Sequence, residues 1–339
     1  MVLQNIMSKL NHDGKPFRSK LQTLFVFVGS IILMTASGHA NEPTQLDQAR
    51  QLWEQNAPYC DSGDGTRSPS KEHCDDGDTT LFNGLLCAAG DDRGCDAVRN
   101  AQEASGRWFR SPRLRVNQHA AEGASLSPDM ALGIQLYLVT SRDTVRAYQW
   151  LKQIDDTVPC WLHKPFSTDC WIRGVPRFCP DSANCSIRPG DAEILAATVD
   201  YLHQQGMPAL PNGSLRGYLG TFGSTWINDY NAHTNKLGYS LHLVAVESWL
   251  LKLMGHTSQS IQDSIITINK RDPGNPFFEY LRDGPTTHVR EILLNTCPKD
   301  EASLPRKYFQ WAWEREMKEQ AWKETMLWDC IFIARRLQQ

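Results

Sequence analysis

Aspartate is the residue whose placement in this sequence most suggests chemistry. Asp75, Asp76 and Asp78 fall within four residues at the mouth of an apolar stretch, DDGDTTLFNGLLCAAGDDRGC over 75–95. Asp129 repeats the arrangement in SPDMALGIQLYL over 127–138. Two carboxyl groups brought face to face can divide acid–base work, one donating a proton while the other activates water or attacks directly. Partial burial raises the pKa of one member and keeps it protonated. Asp78 and Asp129 are therefore the expected acid and base, with Asp76 as a third candidate. The competing expectation is capping, because Asp favours helix starts and an acid in a first turn stabilises a helix by about 0.3–1 kcal/mol. Three acids in four positions exceed what one cap requires. Calcium is the remaining use of Asp75, Asp76 and Asp78, although position twelve of an EF-hand loop counted from Asp75 is Leu86, not Glu. No other metal or cofactor is expected.

Around these acids lie residues suited to holding a ligand. Trp108 and Arg110, in the basic and aromatic run GRWFRSPRLRV with Arg113 and Arg115, pair a ring for stacking with a guanidinium for a carboxylate. The same run is equally readable as a solvated loop balancing nearby aspartates. Tyr230 and His233, in NDYNAHTNK, are placed in a polar loop before a third apolar helix, and His233 is a candidate for proton transfer. Trp313 and Arg315 precede the final helix and are candidates for a ligand platform, while most other C-terminal aromatics read as core. Asp329, inside an apolar run, needs a partner if buried.

The elements that position these residues read as helices. Amphipathic or apolar helical spacing recurs over 45–55, 79–89, 96–103, 127–140, 142–154, 191–204, 237–254, 258–269, 275–281, 287–294 and 318–337. Pro112 argues against a helix over 106–116, and 217–229 reads as a Gly-rich loop. No alternating strand pattern is expected anywhere. Ser127 and Pro128 make a strong helix start, with a Ser cap and Pro in first position.

Ten cysteines, all after residue 40, imply disulfides in an oxidising compartment. Cys60 with Cys74, Cys87 with Cys95, and Cys297 with Cys330 are the plausible staples. The four cysteines over 160–185 mark a stapled insertion, since their spacing fits no common zinc pattern. Residues 1–40 read as a cleaved signal, with a basic start, an apolar core over 24–36 and small residues Gly38 and Ala40 before the cut. That core is shorter than the roughly 20 residues of a spanning helix. The expected location is periplasmic or secreted, with no stable membrane span after cleavage. The 35 Lys and Arg and 38 Asp and Glu of the whole chain fall to 31 and 37 without Lys9, Lys15, Arg18, Lys20 and Asp13. That acidic balance gives no electrostatic reason to expect nucleic acid or an anionic membrane as partner. Serine-hydrolase elbow, Walker, zincin and dinucleotide fingerprints are missing from the sequence.

Apolar helices alternating with amphipathic ones, joined through Gly over 45–337, resemble the (α/α)6 toroid family of carbohydrate-active enzymes, such as unsaturated glucuronyl hydrolases and inverting endoglucanases. The resemblance is architectural. It implies an all-α fold, a toroid of about six helical hairpins with disulfide-stapled loops, as a single domain over 41–339. It further implies that acids at inner-helix ends line a cleft and act on an oligosaccharide or polysaccharide, an anionic one if Arg110 binds a uronate. A glycoside hydrolase is thus the expected function. A non-catalytic binding or inhibitory protein, and a polysaccharide lyase using Tyr230 or His233 as base, are the alternatives.

Overall fold

The computed structural model describes residues 44–118, 123–211, 213–222, 226–316 and 321–339. The expected signal segment lies outside them. The chain is helix-rich with two very small sheets. Helix α1 (Gln45–Asn56) opens on a Thr44 capping box and buries Leu46, Ala49 and Trp53 along one side. The short strands β1 (Tyr59–Asp61) and β2 (Arg67–Pro69) pair antiparallel next. Helices α2 (Thr79–Ala88) and α3 (Asp92–Asn100) follow as a hairpin. After α4 (Pro112–Val116) come α5 (Pro128–Ser141) and α6 (Thr144–Asp156). A second hairpin, β3 (Cys160–His163) with β4 (Cys170–Arg173), leads to α7 (Pro189–Gln204) and α8 (Ser214–Leu219). Six further α-helices follow among the described residues: α9 (Trp226–Thr234), α10 (Tyr239–Leu253), α11 (Gln259–Arg271), α12 (Pro276–Asp283), α13 (Thr287–Thr296) and, after a largely irregular stretch, α14 (Trp328–Leu337).

Helix α2 is buried over its whole length and α5 from Met130 to Val139, so each is enclosed by other elements rather than amphipathic. They cross by glycine. A Cβ on Gly84 would lie 2.2 Å from the Gly133 carbonyl oxygen, and one on Gly133 would lie 2.1 Å from that of Thr80. No side chain fits there, so the two backbones touch. On one side of α5 an apolar cluster gathers Trp53, Phe82, Trp249, Phe277 and Phe332 from α1, α2, α10, α12 and α14. On the other, Trp108, Trp150 and Phe178 pack with α6 and α7. Helix α10 packs against α5, α7 and α9.

All ten cysteines are paired, and the three expected staples are present: Cys60–Cys74, Cys87–Cys95 and Cys297–Cys330. Within the insertion the bonds are Cys160–Cys170 and Cys179–Cys185. Several expected elements differ. Two strand pairs exist where none was expected, because strands of three or four residues are too short to show alternation. Pro112 starts α4 instead of preventing it, since a first-turn Pro loses no helical hydrogen bond and the Ser111 hydroxyl accepts from the Leu114 N–H. The Ser127 hydroxyl makes no cap bond. The stretch over 217–229 contains the end of α8 and the start of α9, not one loop. The final helix begins only at Trp328, because Leu327 takes a left-handed φ of 66° that breaks the helix.

Candidate functional site

Asp78 occupies the N-cap position of α2 in a left-handed conformation, φ 60°, yet its side chain makes no cap hydrogen bond. The capping role its sequence position suggests is not what the carboxylate does. Its Oδ2 instead lies 3.4 Å from the Nζ of Lys71, a buried ammonium, and its Oδ1 lies 3.5 Å from the Tyr239 hydroxyl. The same Tyr239 hydroxyl donates to Oδ2 of Asp129. Tyr239 is the first residue of α10 and Asp129 lies in the first turn of α5, so three helix starts converge on one phenol. The Gly84–Gly133 crossing, one and a half turns into each helix, is what lets those starts approach.

Asp78, Asp129 and Tyr239 are all partly exposed and therefore reachable from solvent. Burial raises the Asp78 pKa; Lys71 pulls it down and Asp129 pushes it further up. Burial, then the two aspartates, push the Tyr239 phenol far above its ordinary value, so it acts as a proton donor and not as a base. A protonated Asp78 could donate to the phenol oxygen while the phenol donates to Asp129, giving a proton path across the pair. Both carboxylates reach one hydroxyl, so their nearest oxygens are within two hydrogen-bond lengths, under about 6 Å.

A third carboxyl lies behind them. Glu314 is buried, and burial with the nearby Asp78 lifts its pKa to about 8. Its segment is tied down by Asp329, which accepts from the Ala312 N–H at 2.6 Å, the Cys330 N–H at 2.9 Å and the Thr325 hydroxyl. Those donors are the partners the buried Asp329 requires, against burial that still raises its pKa to about 6. One turn along α10, His242 is fully buried and held neutral, its pKa depressed to about 3 by burial and by Arg315.

The acidic character continues past Arg188. That guanidinium binds Asp191 through Nε at 2.8 Å and Nη2 at 3.1 Å, and it also senses Asp129 and Glu247. Beyond it opens a cavity of about 350 Å³ lined by Arg188, Asp191, Asn231, Asn235, Ser240 and Glu247. Glu247 accepts from Asn228 at 3.1 Å, and burial lifts its pKa to about 8.

The other sequence candidates are placed elsewhere. Asp76 accepts from the Ser111 hydroxyl at 2.6 Å and pairs with Arg113, joining the approach to α2 with α4. Asp75 accepts from the Gly77 N–H at 2.8 Å. Asp75, Asp76 and Asp78 thus face different partners, and among the described residues no gathering of potential metal ligands includes them. Trp108 is fully buried against Tyr137 and Trp150 and donates to the Val98 carbonyl. Arg110 is buried, with Nε 3.3 Å from the Ala124 carbonyl. Tyr230 and His233 are exposed on α9, a helix rather than the expected loop, and His233 Nδ1 meets the Asp229 carbonyl. Trp313 is buried and donates to the Asp329 carbonyl; the neighbouring Arg315 is exposed and 3.5 Å from Glu314. Lys71, Tyr239 and Glu314 were not singled out from sequence. Tyr239 heads an apolar run and Glu314 sits between tryptophan and arginine, so neither shows a local signal.

Compared with known proteins, the chain matches no family model, no curated protein sequence and no solved structure.

Proposed function

We propose that the chain is a glycoside hydrolase whose reacting groups are Asp78 and Asp129. The observation that carries this reading is the pairing of two solvent-reachable carboxylates through the Tyr239 hydroxyl. Both reach one hydroxyl and Asp78 also interacts with Asp129 directly, so the pair is closer than the ~6.5–9.5 Å of an inverting site. Asp129, oriented by Tyr239, would attack the anomeric carbon as Asp78 protonates the departing oxygen. Asp78 would then take a proton from the water that releases the sugar. Its raised pKa supports the acid role. Glu314 and Lys71, both buried, act through Asp78 as positioning residues.

The proposed substrate is an uncharged glycan. Burial keeps Glu314 and Glu247 protonated at neutral pH, so Asp129 and Asp191 stand against Lys71, Arg188 and Arg315 about the site and the adjoining cavity, and charge there does not select a basic sugar. The arginines that suggested a uronate are otherwise engaged: Arg113 with Asp76, Arg115 with Asp64, Arg110 buried. The cavity beyond Arg188 is of a size and polarity to take one sugar ring. An α/α toroid, with α2, α5 and α10 among its inner helices, belongs to the same proposal, as does export, which five disulfides support.

One observation favours a binding protein instead: the Tyr239 hydroxyl already engages both carboxylates. Proton NMR of products from neutral and amino-sugar oligosaccharides distinguishes these readings. Retained anomeric configuration, lost in Asp129→Ala, is expected. Tight ligand binding without products would establish the binding protein.

A further inference from the structure

The hairpin β3–β4 stands apart from the rest of the molecule in how it treats apolar side chains. Trp161 is 65% exposed, Leu162 45%, Phe166 111%, Trp171 64% and Ile172 48%. Every residue from Trp161 to Asp169 and from Trp171 to Arg173 is exposed, so neither face of the hairpin rests on the body of the protein. None of the five joins either apolar cluster. The Cys160–Cys170 bond closes the hairpin, and Phe166 at its tip takes a left-handed φ of 58°. Two tryptophans, a phenylalanine and two aliphatic side chains held open to water on a stapled finger form an unusual concentration of exposed apolar surface.

The charges nearby have the opposite sign to the chain as a whole. Between Cys160 and Gly174 the sequence carries Lys164 and Arg173 against one acid, Asp169, which lies 3.5 Å from the Lys164 ammonium, whereas the chain outside residues 1–40 carries an excess of acids. An anionic layer would therefore attract the finger and repel the remainder, which sets an orientation. Amphipathic rings at headgroup depth with basic side chains reaching phosphates are the chemistry of a lipid interface. A finger open on all sides suits a medium that surrounds it better than a groove that covers one face.

We propose that the β3–β4 hairpin docks the protein on an anionic lipid surface, inserting Phe166, Trp161 and Trp171 among the headgroups while Lys164 and Arg173 meet the phosphates. The attachment is peripheral and reversible, as expected of a few side chains, with no spanning helix among the described residues. It is independent of the hydrolase reading.

Flotation of the whole disulfide-bonded chain with vesicles tests it. The vesicles are pure phosphatidylcholine, or phosphatidylcholine with about 30 mol% phosphatidylglycerol, a strongly anionic surface. The expected result is preferential binding to the anionic vesicles. Trp161→Ala, Phe166→Ala and Trp171→Ala together should weaken it at least about tenfold without moving the thermal melt, because none of these side chains belongs to either apolar cluster of the core. Lys164→Glu with Arg173→Glu should abolish the preference for phosphatidylglycerol. Wild type and variants share residues 1–40, so any difference between them belongs to the hairpin. Equal flotation of wild type and triple variant overturns the proposal. So does an effect of the triple variant confined to self-association or to retention on insoluble polysaccharide.

Discussion

Asp78 departs most clearly from what its position in the chain implies. A helix-start aspartate ordinarily accepts an N–H of the first turn, and here that bond is not made. The carboxylate is turned instead toward Lys71 and Tyr239. Asp78→Asn and Asp129→Asn should each lower turnover by about 10²–10⁴-fold in steady-state kinetics, the usual contribution of a positioned acid or base. Neither substitution should unfold the chain, since both side chains are partly exposed. Tyr239→Phe should lower turnover less and leave the KM nearly unchanged, because the phenol orients Asp129 without contacting the reacting bond. The two aspartates were legible in the sequence because helix starts and acids are local signals. Tyr239 and Glu314 were not, because their roles arise from contacts across 110 or more positions of chain, among apolar neighbours that disguise them. Trp108 and Arg110 misled for the converse reason: the basic residues beside them suggest an exposed loop, whereas both side chains are buried.

Between residues and molecule, the α2–α5 crossing sets the distance on which the pair depends. Gly133→Ala would push a methyl group into the Thr80 carbonyl and spread the two helices. Overpacking of this kind costs about 1–3 kcal/mol, so a lowered thermal midpoint is expected together with reduced activity at temperatures where the variant is folded. A variant with wild-type stability and rate would show that the crossing does not position the acids. The Cys297–Cys330 bond, spanning a sequence separation of 33, ties the end of α13 to α14. Its removal as a double alanine variant should cost about 3–4 kcal/mol by chain entropy, measured by denaturant unfolding. The long apolar helices and three of the five disulfides were legible, because burial and Cys spacing are local properties. The hairpin strands were too short to read, and the break at Leu327 involves a left-handed residue that no composition signal marks.

For the molecule as a whole, the concentration of buried acid sets a pH dependence. Glu247 and Glu314 have pKa values raised to about 8 and Glu193 to about 7, each chiefly by burial. The folded state therefore holds protons that the unfolded chain releases near 4.5, and stability falls as pH rises through the folded values. His242 works in the opposite sense, but only below its ordinary value of 6.5, since its folded pKa is about 3. Between pH 6.5 and 8 the raised glutamates act in one sense, with Asp78 acting alongside them, and the thermal midpoint should fall across that window. Glu247→Gln should flatten the fall; an unchanged slope would mean the carboxyl is ionised in the folded protein throughout.

Hydrolysis itself is the central claim, and oxygen labelling tests it most directly. Disulfide-bonded protein is incubated with neutral and amino-sugar oligosaccharides in ¹⁸O-enriched water, and the products are read by mass spectrometry. One labelled oxygen per cleaved bond, at the new reducing end, with no product from Asp78→Asn, is the predicted result. Unsaturated products lacking the label, or glycans left intact by a folded wild-type protein, would contradict it.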